Sequence, residues 1–322
     1  MAIRRVRVPQ PESTAPDRPT DVRTASSPAN FLPFASYTSV TGVHTSLLAF
    51  TALFLPRTSV SFLTDLYPWQ SKHTPIASDE PHRALRLLTE NPTRTVAWMC
   101  VGAIVVQTWW ASWLRGWMIE ERTRGMAEGN AAEQTKQKLQ RKHWDDLRLA
   151  AFGNAILTTL VVSTIYYILL VLFGAPIASH PLETSALALL LSLLTSFTSA
   201  YVLSPPSLRA DSEALVSRLT WIRLFAELSP RTPIERAIVY PAAGTLIGCW
   251  SGAIPLGLDW ERPWQAWPLP PAYGAIGGYI VGSLSALVVS AITQLADAYL
   301  VSNVTPASEP NKNRRQRRRK HF

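Results

Sequence analysis

Long apolar segments separated by polar or charged stretches dominate the pattern of the chain. Six of them occupy about residues 37–55, 95–118, 149–173, 184–203, 237–257 and 272–301. A helix needs about 20 apolar residues to cross a hydrocarbon core roughly 30 Å thick, so each segment predicts a transmembrane helix. The last segment is long enough to tilt in the bilayer or to project from it. The pattern therefore predicts an all-α, polytopic membrane protein with about six transmembrane helices.

A shorter helix with one apolar face is predicted between the fourth and fifth segments. Within residues 211–228, Leu215, Leu219, Ile222 and Ala226 recur at i, i+4, i+7 and i+11, which is the spacing of one helix face. Either a lipid surface or another protein can cover such a face. We predict an amphipathic helix on the cytosolic surface of the membrane, with its apolar face toward lipid.

Glycines recur at every fourth position in the fifth and sixth segments. They are Gly244, Gly248 and Gly252 in the fifth segment and Gly274, Gly278 and Gly282 in the sixth. Such a series forms a groove without side chains, which allows a second backbone to approach closely. We predict that these six residues are helix-packing positions. The short loop between the two segments favours packing of the grooves on each other, and packing on another protein is the alternative.

Basic residues are distributed unevenly between the two sides that six crossings would create. Of the 31 Lys and Arg residues, 24 lie in residues 1–36, 119–148, 204–236 and 302–322, and six lie in the alternate loops. Because Lys and Arg collect in the cytoplasmic loops of membrane proteins, this distribution predicts that both termini are cytosolic. It also accounts for the net charge of +9 without a nucleic-acid partner.

The two ends of the chain differ in composition from the apolar region between them. Residues 1–36 lack apolar periodicity and are rich in Pro, Ser and Thr, so they predict a disordered cytosolic tail. Residues 302–322 are rich in Lys and Arg, and we predict that they form a basic cytosolic tail. Residues 37–301 form the predicted six-helix transmembrane domain.

The polar residues of the apolar segments do not form a recognisable catalytic or metal-binding pattern. Cys100 and Cys249 lie in separate segments, and the six histidines lack the spacing of common zinc sites. Charged residues inside the segments are limited to Arg115 and Asp297, close to segment ends, where they can reach the interface. Gln107 is expected to hydrogen-bond between helices. The sequence therefore predicts that the protein is not an enzyme and has no catalytic residue, metal or cofactor.

The loop between the last two segments, residues 257–268, has an unusual composition, and we call it the tryptophan loop. It contains Trp260, Trp264 and Trp267. An indole suits the headgroup layer of a bilayer, where its ring stays dry and its N–H finds an acceptor. We predict that these side chains anchor the loop at the luminal surface of the membrane.

The same loop carries a charged cluster, Asp259, Glu261 and Arg262, followed by Pro263. An ion pair between Arg262 and its acidic neighbours would only shape the loop, because exposed pairs contribute about 0–1 kcal/mol. The alternative is that these groups reach a partner protein or a phosphate-bearing lipid. We predict contacts with a partner or with lipid for the loop residues Asp259, Trp260, Glu261, Arg262, Pro263, Trp264 and Trp267.

Two blocks of rare residues resemble the PIG-F family of glycosylphosphatidylinositol (GPI) biosynthesis. The first block comprises residues 248–268 and 273–282, and the second comprises residues 172–176 and 182–184. The resemblance covers about residues 150–301, whereas the first two segments match only in hydropathy. It implies a multi-pass membrane protein of the endoplasmic reticulum.

The resemblance further implies a non-catalytic subunit that binds and stabilises GPI ethanolamine-phosphate transferase subunits in a hetero-oligomer. In that family the partners carry the zinc-dependent luminal domain, which agrees with the absence of a metal-binding pattern in this sequence. The rival hypothesis is a lipid-handling protein that presents or translocates phosphatidylethanolamine or the GPI glycolipid. It predicts that polar groups of the third and fourth segments line a cavity. A transferase in its own right would need a polar cluster that the sequence lacks.

Overall fold

The computed structural model describes residues 33–56, 88–89, 91–124, 148–176, 178–206, 211–258, 260 and 262–304, and this part contains helices but no β-strand. The helices are α1 (Phe34–Leu53), α2 (Pro92–Arg124), α3 (Arg148–Leu172), α4 (Pro181–Leu203), α5 (Ser212–Trp221), α6 (Pro233–Ala253) and α7 (Leu269–Val304). A π-helical turn interrupts α4 at Leu193–Phe197, and another continues α5 at Ile222–Ala226. The predicted all-α class is confirmed.

Five of the described helices, α2, α3, α4, α6 and α7, are long and apolar enough to cross a membrane. Helix α1 coincides with the first predicted segment and has 20 residues. It is not among those five helices, and the polar residues Thr41, His44 and Thr45 lie on its buried face. Its crossing of the membrane stays a prediction.

Successive long helices run in opposite directions. At one end of the bundle, Thr93 at the start of α2 donates a hydrogen bond to Glu183 at the start of α4, at 2.8 Å. At the other end, Arg115 of α2 donates to the backbone oxygen of Tyr201 in α4, at 2.7 Å. The tryptophan loop joins α6 to α7 at the first end, which we call the loop end. Helix α5 lies at the opposite end.

Helix α4 lies at the centre of the bundle and α3 at its edge. In the most apolar window of α4, 83% of the residues are buried, compared with 11% in α3. Most of the apolar side chains of α3 therefore face away from the protein, as expected for a helix whose surroundings are lipid. The buried side chains of α4 pack mainly against α2 and α3.

Helix α7 has 36 residues and, at 1.5 Å per residue, is about 54 Å long. Near the start of α6, Arg236 donates a hydrogen bond to Thr293 of α7 at 2.9 Å. The residues of α7 after Thr293 continue past that contact, beyond the start of α6. The last apolar segment therefore forms one uninterrupted helix, which projects beyond the start of α6.

The apolar face of α5 points away from the bundle. Leu215, Leu219 and Ile222 are each more than half exposed, at 52%, 56% and 52%, whereas Ala214 and Leu224 are buried against the protein. The spacing of these apolar residues in the sequence thus correctly predicted a helix with one apolar face. Because the described residues leave this apolar face uncovered, it is available to the lipid surface that the sequence predicts for it.

A capping box fixes the start of α6 and ties it to α5. Thr232 accepts a hydrogen bond from the backbone N–H of Glu235, and the Glu235 carboxylate accepts one from the backbone N–H of Thr232, both at 3.2 Å. The same carboxylate accepts from the Arg223 guanidinium at 3.1 Å. This hydrogen bond raises the pKa of Arg223 further above its usual range, so the guanidinium stays charged. The end of the bundle that carries α5 is therefore held by a charge-assisted contact.

Some predictions concern residues that the structure does not describe. Most of the predicted tails 1–36 and 302–322, and most of the loop 56–94 between the first two segments, lie outside the described residues. The boundaries of the two tails stay predictions.

Candidate functional site

The two glycine series lie directly against each other. A Cβ atom added to Gly248 would collide with the carbonyl oxygen of Gly274 and lie 2.9 Å from the Cα of Gly278. A Cβ added to Gly278 would likewise collide with the carbonyl oxygen of Gly244. At all six positions the nearest atom is backbone of the opposite helix, which for Gly252 is Pro270 and for Gly282 is Tyr240.

This contact makes α6 and α7 a tightly packed pair. Backbone-to-backbone approach increases the number of dispersion contacts, and each of these is small but favourable. A neighbouring residue, Gly277, faces open space with nothing within 4 Å of an added Cβ. The close approach is therefore a property of particular positions in α7 and not of every glycine there. The helix pair forms a firm base for the tryptophan loop.

The side chain of Gln265 holds the tryptophan loop in its turn. Its Oε1 accepts a hydrogen bond from the backbone N–H of Arg262 at 2.9 Å. Its Nε2 donates to the carbonyl oxygens of Pro255 and Leu258, both at 2.7 Å. One amide thus joins the 3₁₀ turn Ile254–Gly257, which leads into the loop, to the 3₁₀ turn Pro263–Gln265 within it. The sequence does not single out Gln265, because nothing in the spacing of this residue shows which backbone groups it meets.

The three tryptophans of the loop have different surroundings. The Nε1 of Trp267 donates a hydrogen bond to Thr184 of α4 at 3.1 Å, so this side chain ties the loop to the bundle. Trp260 and Trp264 are 54% and 37% exposed, and their rings meet edge to face with centroids 5.9 Å apart. The loop therefore presents two indoles outward and uses the third for attachment.

The charged positions of the loop are only partly described. Arg262 and Pro263 lie on its exposed surface. Asp259 and Glu261 lie outside the described residues, so the ion pair considered for Arg262 stays a hypothesis. In the chain, Arg262 lies between the two outward tryptophans, and all three residues are exposed. This combination suits a contact surface that is both apolar and cationic.

A small polar cluster adjoins the loop on α4. The carboxylate of Glu183, which accepts from Thr93, also lies 3.5 Å from Nδ1 of His180. Thr184, the next residue, accepts the hydrogen bond from Trp267. Two consecutive residues at the start of α4 therefore connect it to α2 and to the loop. Helices α2 and α4 and the tryptophan loop are thus joined at the loop end.

The hydroxyl groups in the middle of α4 take part in packing. Thr195, Ser196, Thr198 and Ser199 are all buried. Thr198 donates to Oε1 of Gln107 in α2 at 2.9 Å, and the other three donate to backbone oxygens of α4 itself. These four hydroxyl groups of α4, which the lipid-handling hypothesis expected along a cavity, are hydrogen-bonded inside the helix bundle.

The hydrogen bond expected between Gln107 and another helix is present, and its surroundings include further aromatic residues. Its Oε1 also accepts from the hydroxyl of Tyr279 in α7, at 3.3 Å. His44 of α1 is fully buried, and its ring stacks on Trp110 with centroids 4.6 Å apart. It lies 5.5 Å from the ring of Tyr279. A buried cluster of polar and aromatic side chains thus connects α1, α2, α4 and α7.

Comparison with known families decides the identity of this arrangement. Residues 81–287 match the family described as "GPI biosynthesis protein family Pig-F". The matched range includes α2 to α6, the tryptophan loop and all six packing glycines. The chain belongs to the PIG-F family. The predicted resemblance is confirmed, and it extends further toward the N-terminus than the sequence motifs indicated, because the match includes α2. The apolar residues of α2 are common in membrane helices, so no short motif marks it.

Several relatives of this PIG-F family member are named for GPI synthesis. A Homo sapiens protein, "GPI ethanolamine phosphate transferase, stabilizing subunit", is 34% identical over 117 residues, or 36% of this chain and 48% of the relative. "Glycosylphosphatidylinositol anchor biosynthesis protein 11" of Aspergillus fumigatus is 38% identical over 134 residues, or 42% of this chain and 40% of the relative. The protein of the same name in Yarrowia lipolytica is 34% identical over 149 residues, or 46% of this chain and 59% of the relative.

The matched regions span about half the length of these curated relatives. No solved structure matches the chain. The family assignment therefore rests on the sequence of the helix bundle and of the tryptophan loop.

Proposed function

We propose that this protein is a non-catalytic membrane subunit that binds and stabilises the catalytic subunits of GPI ethanolamine-phosphate transferases during GPI-anchor precursor synthesis. Membership of the PIG-F family supports the proposal, as do the Homo sapiens and Mus musculus relatives named as the stabilizing subunit of that transferase. The structural observation that carries it is the tryptophan loop, which presents exposed indoles and Arg262 on a firmly packed helix pair.

The proposed contact surface consists of the loop residues Asp259, Trp260, Glu261, Arg262, Pro263, Trp264 and Trp267. Aromatic and arginine side chains are enriched where protein interfaces gain most of their binding energy. Trp260 and Trp264 are the proposed apolar contacts, and Arg262 is the proposed charged contact. Trp267 supports the loop through Thr184. The six packing glycines act indirectly, since they hold the two helices from which the loop emerges.

Replacement of Arg262 by alanine is expected to lower recovery of the transferase subunit while leaving the abundance of the protein unchanged. A charge-assisted hydrogen bond in an interface contributes roughly 1.5–3 kcal/mol, so recovery should fall about tenfold or more. The measurement is co-purification of the transferase from cells that lack the endogenous protein, together with surface levels of GPI-anchored proteins. Trp264→Ala is expected to act in the same direction.

Arg148→Ala is the matched control, because Arg148 is exposed at the start of α3, at the opposite end of the bundle. It should leave transferase recovery unchanged. If Arg262→Ala behaves like this control in recovery and in surface GPI-anchored protein, Arg262 does not contact the partner.

We also propose that the protein lies in the endoplasmic-reticulum membrane with both termini in the cytosol and the tryptophan loop in the lumen. The uneven distribution of basic residues supports this orientation. The start of α1 lies near the α5 end, since Tyr37 packs on Trp117 of α2 with ring centroids 5.2 Å apart. The end of α7 extends past Thr293 at that same end. The two ends of the helical region therefore share one side.

An epitope tag at the C-terminus is expected to bind antibody in cells whose plasma membrane alone has been permeabilised. A tag inserted after Ser78, in the loop between the first two predicted segments, should stay inaccessible until the internal membranes are also opened. The control is a luminal marker protein that is stained only after full permeabilisation. Staining of the Ser78 tag without staining of the C-terminal tag would reverse the proposed orientation.

A further inference from the structure

A cleft of about 800 Å³ lies between α3, α4 and α6 and continues to the loop end of the bundle. Its walls are formed by Tyr166 and Leu170 of α3, Leu246, Trp250 and Ala253 of α6, and Trp267 of the tryptophan loop. Its volume falls within the roughly 300–1,000 Å³ that is typical of small-molecule sites. It lies among the helices that are apolar enough to span the membrane.

The cleft offers little to a polar ligand. Its walls consist mainly of aliphatic and aromatic carbon. The Tyr166 hydroxyl is hydrogen-bonded to Thr195 at 3.1 Å, and the Trp267 indole N–H is hydrogen-bonded to Thr184. Water gains little in a cavity of this kind, because it needs two to four polar partners to be held there. An apolar occupant is therefore favoured.

The cleft is elongated in the direction of α6. Along α6 and the turn that follows, it extends from Leu246 to Leu256, which is roughly 15 Å at 1.5 Å per residue. An extended hydrocarbon chain can lie along such a cleft and contact its apolar walls over the whole length.

The position of the cleft also matches that of a lipid chain. One of its ends lies beside Leu191 and Leu246, within the membrane-spanning helices, and the other lies beside Gly174 and Gly257, in the loops at the loop end. Trp250, which is 73% exposed, lines the cleft from the side that faces the surroundings. A chain could therefore enter sideways from the bilayer, with its headgroup remaining at the membrane surface.

We propose that this cleft binds one acyl chain of a glycerophospholipid from the surrounding bilayer. The bound lipid fills the space between α3 and α6 and supports the base of the tryptophan loop through Trp267. The lipid stays bound to the helix bundle and is not translocated along a path of polar groups. The proposal does not rest on the accessory function, because it concerns lipid bound to this chain.

The test uses a phosphatidylcholine that carries a photoactivatable group within one acyl chain. It is incorporated into membranes that contain the full-length protein, and after irradiation the protein is purified in mild detergent with any subunits that accompany it. Peptide mapping is expected to place the cross-links mainly on the cleft-lining parts of α3 and α6. Ala253→Trp, which fills the cleft, should lower cross-linking there about tenfold, equivalent to about 1.4 kcal/mol of binding free energy.

Val161→Trp is the control, because Val161 is 53% exposed on α3 and is not part of the cleft wall. It should leave cleft cross-linking unchanged. Leu246→Trp fills the cleft from another position and provides a second variant if Ala253→Trp fails to fold, as judged by size-exclusion chromatography. Equal cross-linking of the cleft and of the surface around Val161 would show only ordinary contact with bilayer lipid and overturn the proposal.

Two further outcomes would also overturn it. Native mass spectrometry of the purified protein should identify the retained lipid as a glycerophospholipid, and retention of an inositol glycolipid instead would contradict the assigned source. Loss of a co-purifying subunit with Ala253→Trp, with lipid cross-linking unchanged, would identify the cleft as a seat for a partner helix.

Discussion

Replacing Gly278 by leucine is expected to reduce the amount of folded protein in the membrane at least several-fold. The leucine side chain would occupy the space of the Gly244 carbonyl oxygen and press on the Gly248 backbone. Backbone atoms of a neighbouring helix cannot move aside as a flexible side chain can, so α6 and α7 must separate. Overpacking of this kind costs typically about 1–3 kcal/mol and occasionally more. A change of 1–2 kcal/mol is enough to alter abundance several-fold in cells.

Gly277→Leu is a closely matched control. It makes the same substitution one residue earlier in the same helix, at a position where an added Cβ meets nothing within 4 Å. Its abundance should equal that of the unaltered protein, measured by fluorescence-detected size-exclusion chromatography of a tagged chain. Gly248→Leu should behave like Gly278→Leu. Equal abundance of Gly277→Leu and Gly278→Leu would show that the close contact does not stabilise the helix pair.

The hydropathy pattern predicted the helices well because a membrane helix must satisfy its backbone hydrogen bonds internally. The fifth predicted segment, residues 237–257, corresponds to α6 at Pro233–Ala253 followed by a 3₁₀ turn. The main differences are at the ends, where capping residues such as Thr232 decide the boundary. The spacing of the glycines likewise indicated which faces of α6 and α7 could approach closely.

The buried polar cluster could not be predicted in the same way. Gln107 accepts hydrogen bonds from Thr198 and Tyr279, which are 91 and 172 residues away in the chain. A single sequence shows that Gln107 needs partners but not which residues the fold brings to it. His44 has no distinguishing neighbours in sequence, although the structure stacks it on Trp110. Partner identity here depends on how α1, α2, α4 and α7 pack.

The tryptophan loop has some features that the sequence predicts and others that depend on how the helices pack. Its amphipathic composition indicated a membrane surface, and its rare residues indicated the family. The difference between Trp267, which is tied to Thr184, and the two outward tryptophans depends on tertiary contacts. Gln265 is inconspicuous in the sequence for the same reason, since its partners are backbone groups whose positions follow from the turns. The residue that organises the site is therefore less conspicuous in sequence than the residues it presents.

Replacement of Gln265 by alanine is expected to release the tryptophan loop from its turn and to lower recovery of the transferase subunit. The change removes three hydrogen bonds, to Arg262, Pro255 and Leu258. Each contributes about 0.5–1.5 kcal/mol net, and the groups left behind at a membrane surface are in part satisfied by water. Proteolysis within the loop should therefore become faster, while the packed pair α6 and α7 keeps the protein abundant.

Gln265→Glu separates the hydrogen bonds from the size of the side chain. Glutamate can still accept from the backbone N–H of Arg262, but an ionised carboxylate cannot donate to the carbonyl oxygens of Pro255 and Leu258. It would place an oxygen opposite two other oxygens, so this nearly isosteric change should disrupt the loop at least as much as alanine does. The measurements are limited proteolysis of the purified protein and co-purification of the transferase. If Gln265→Glu resists protease and recovers its partner as the unaltered protein does, the amide does not hold the loop, and the packing of α6 on α7 is sufficient to shape it.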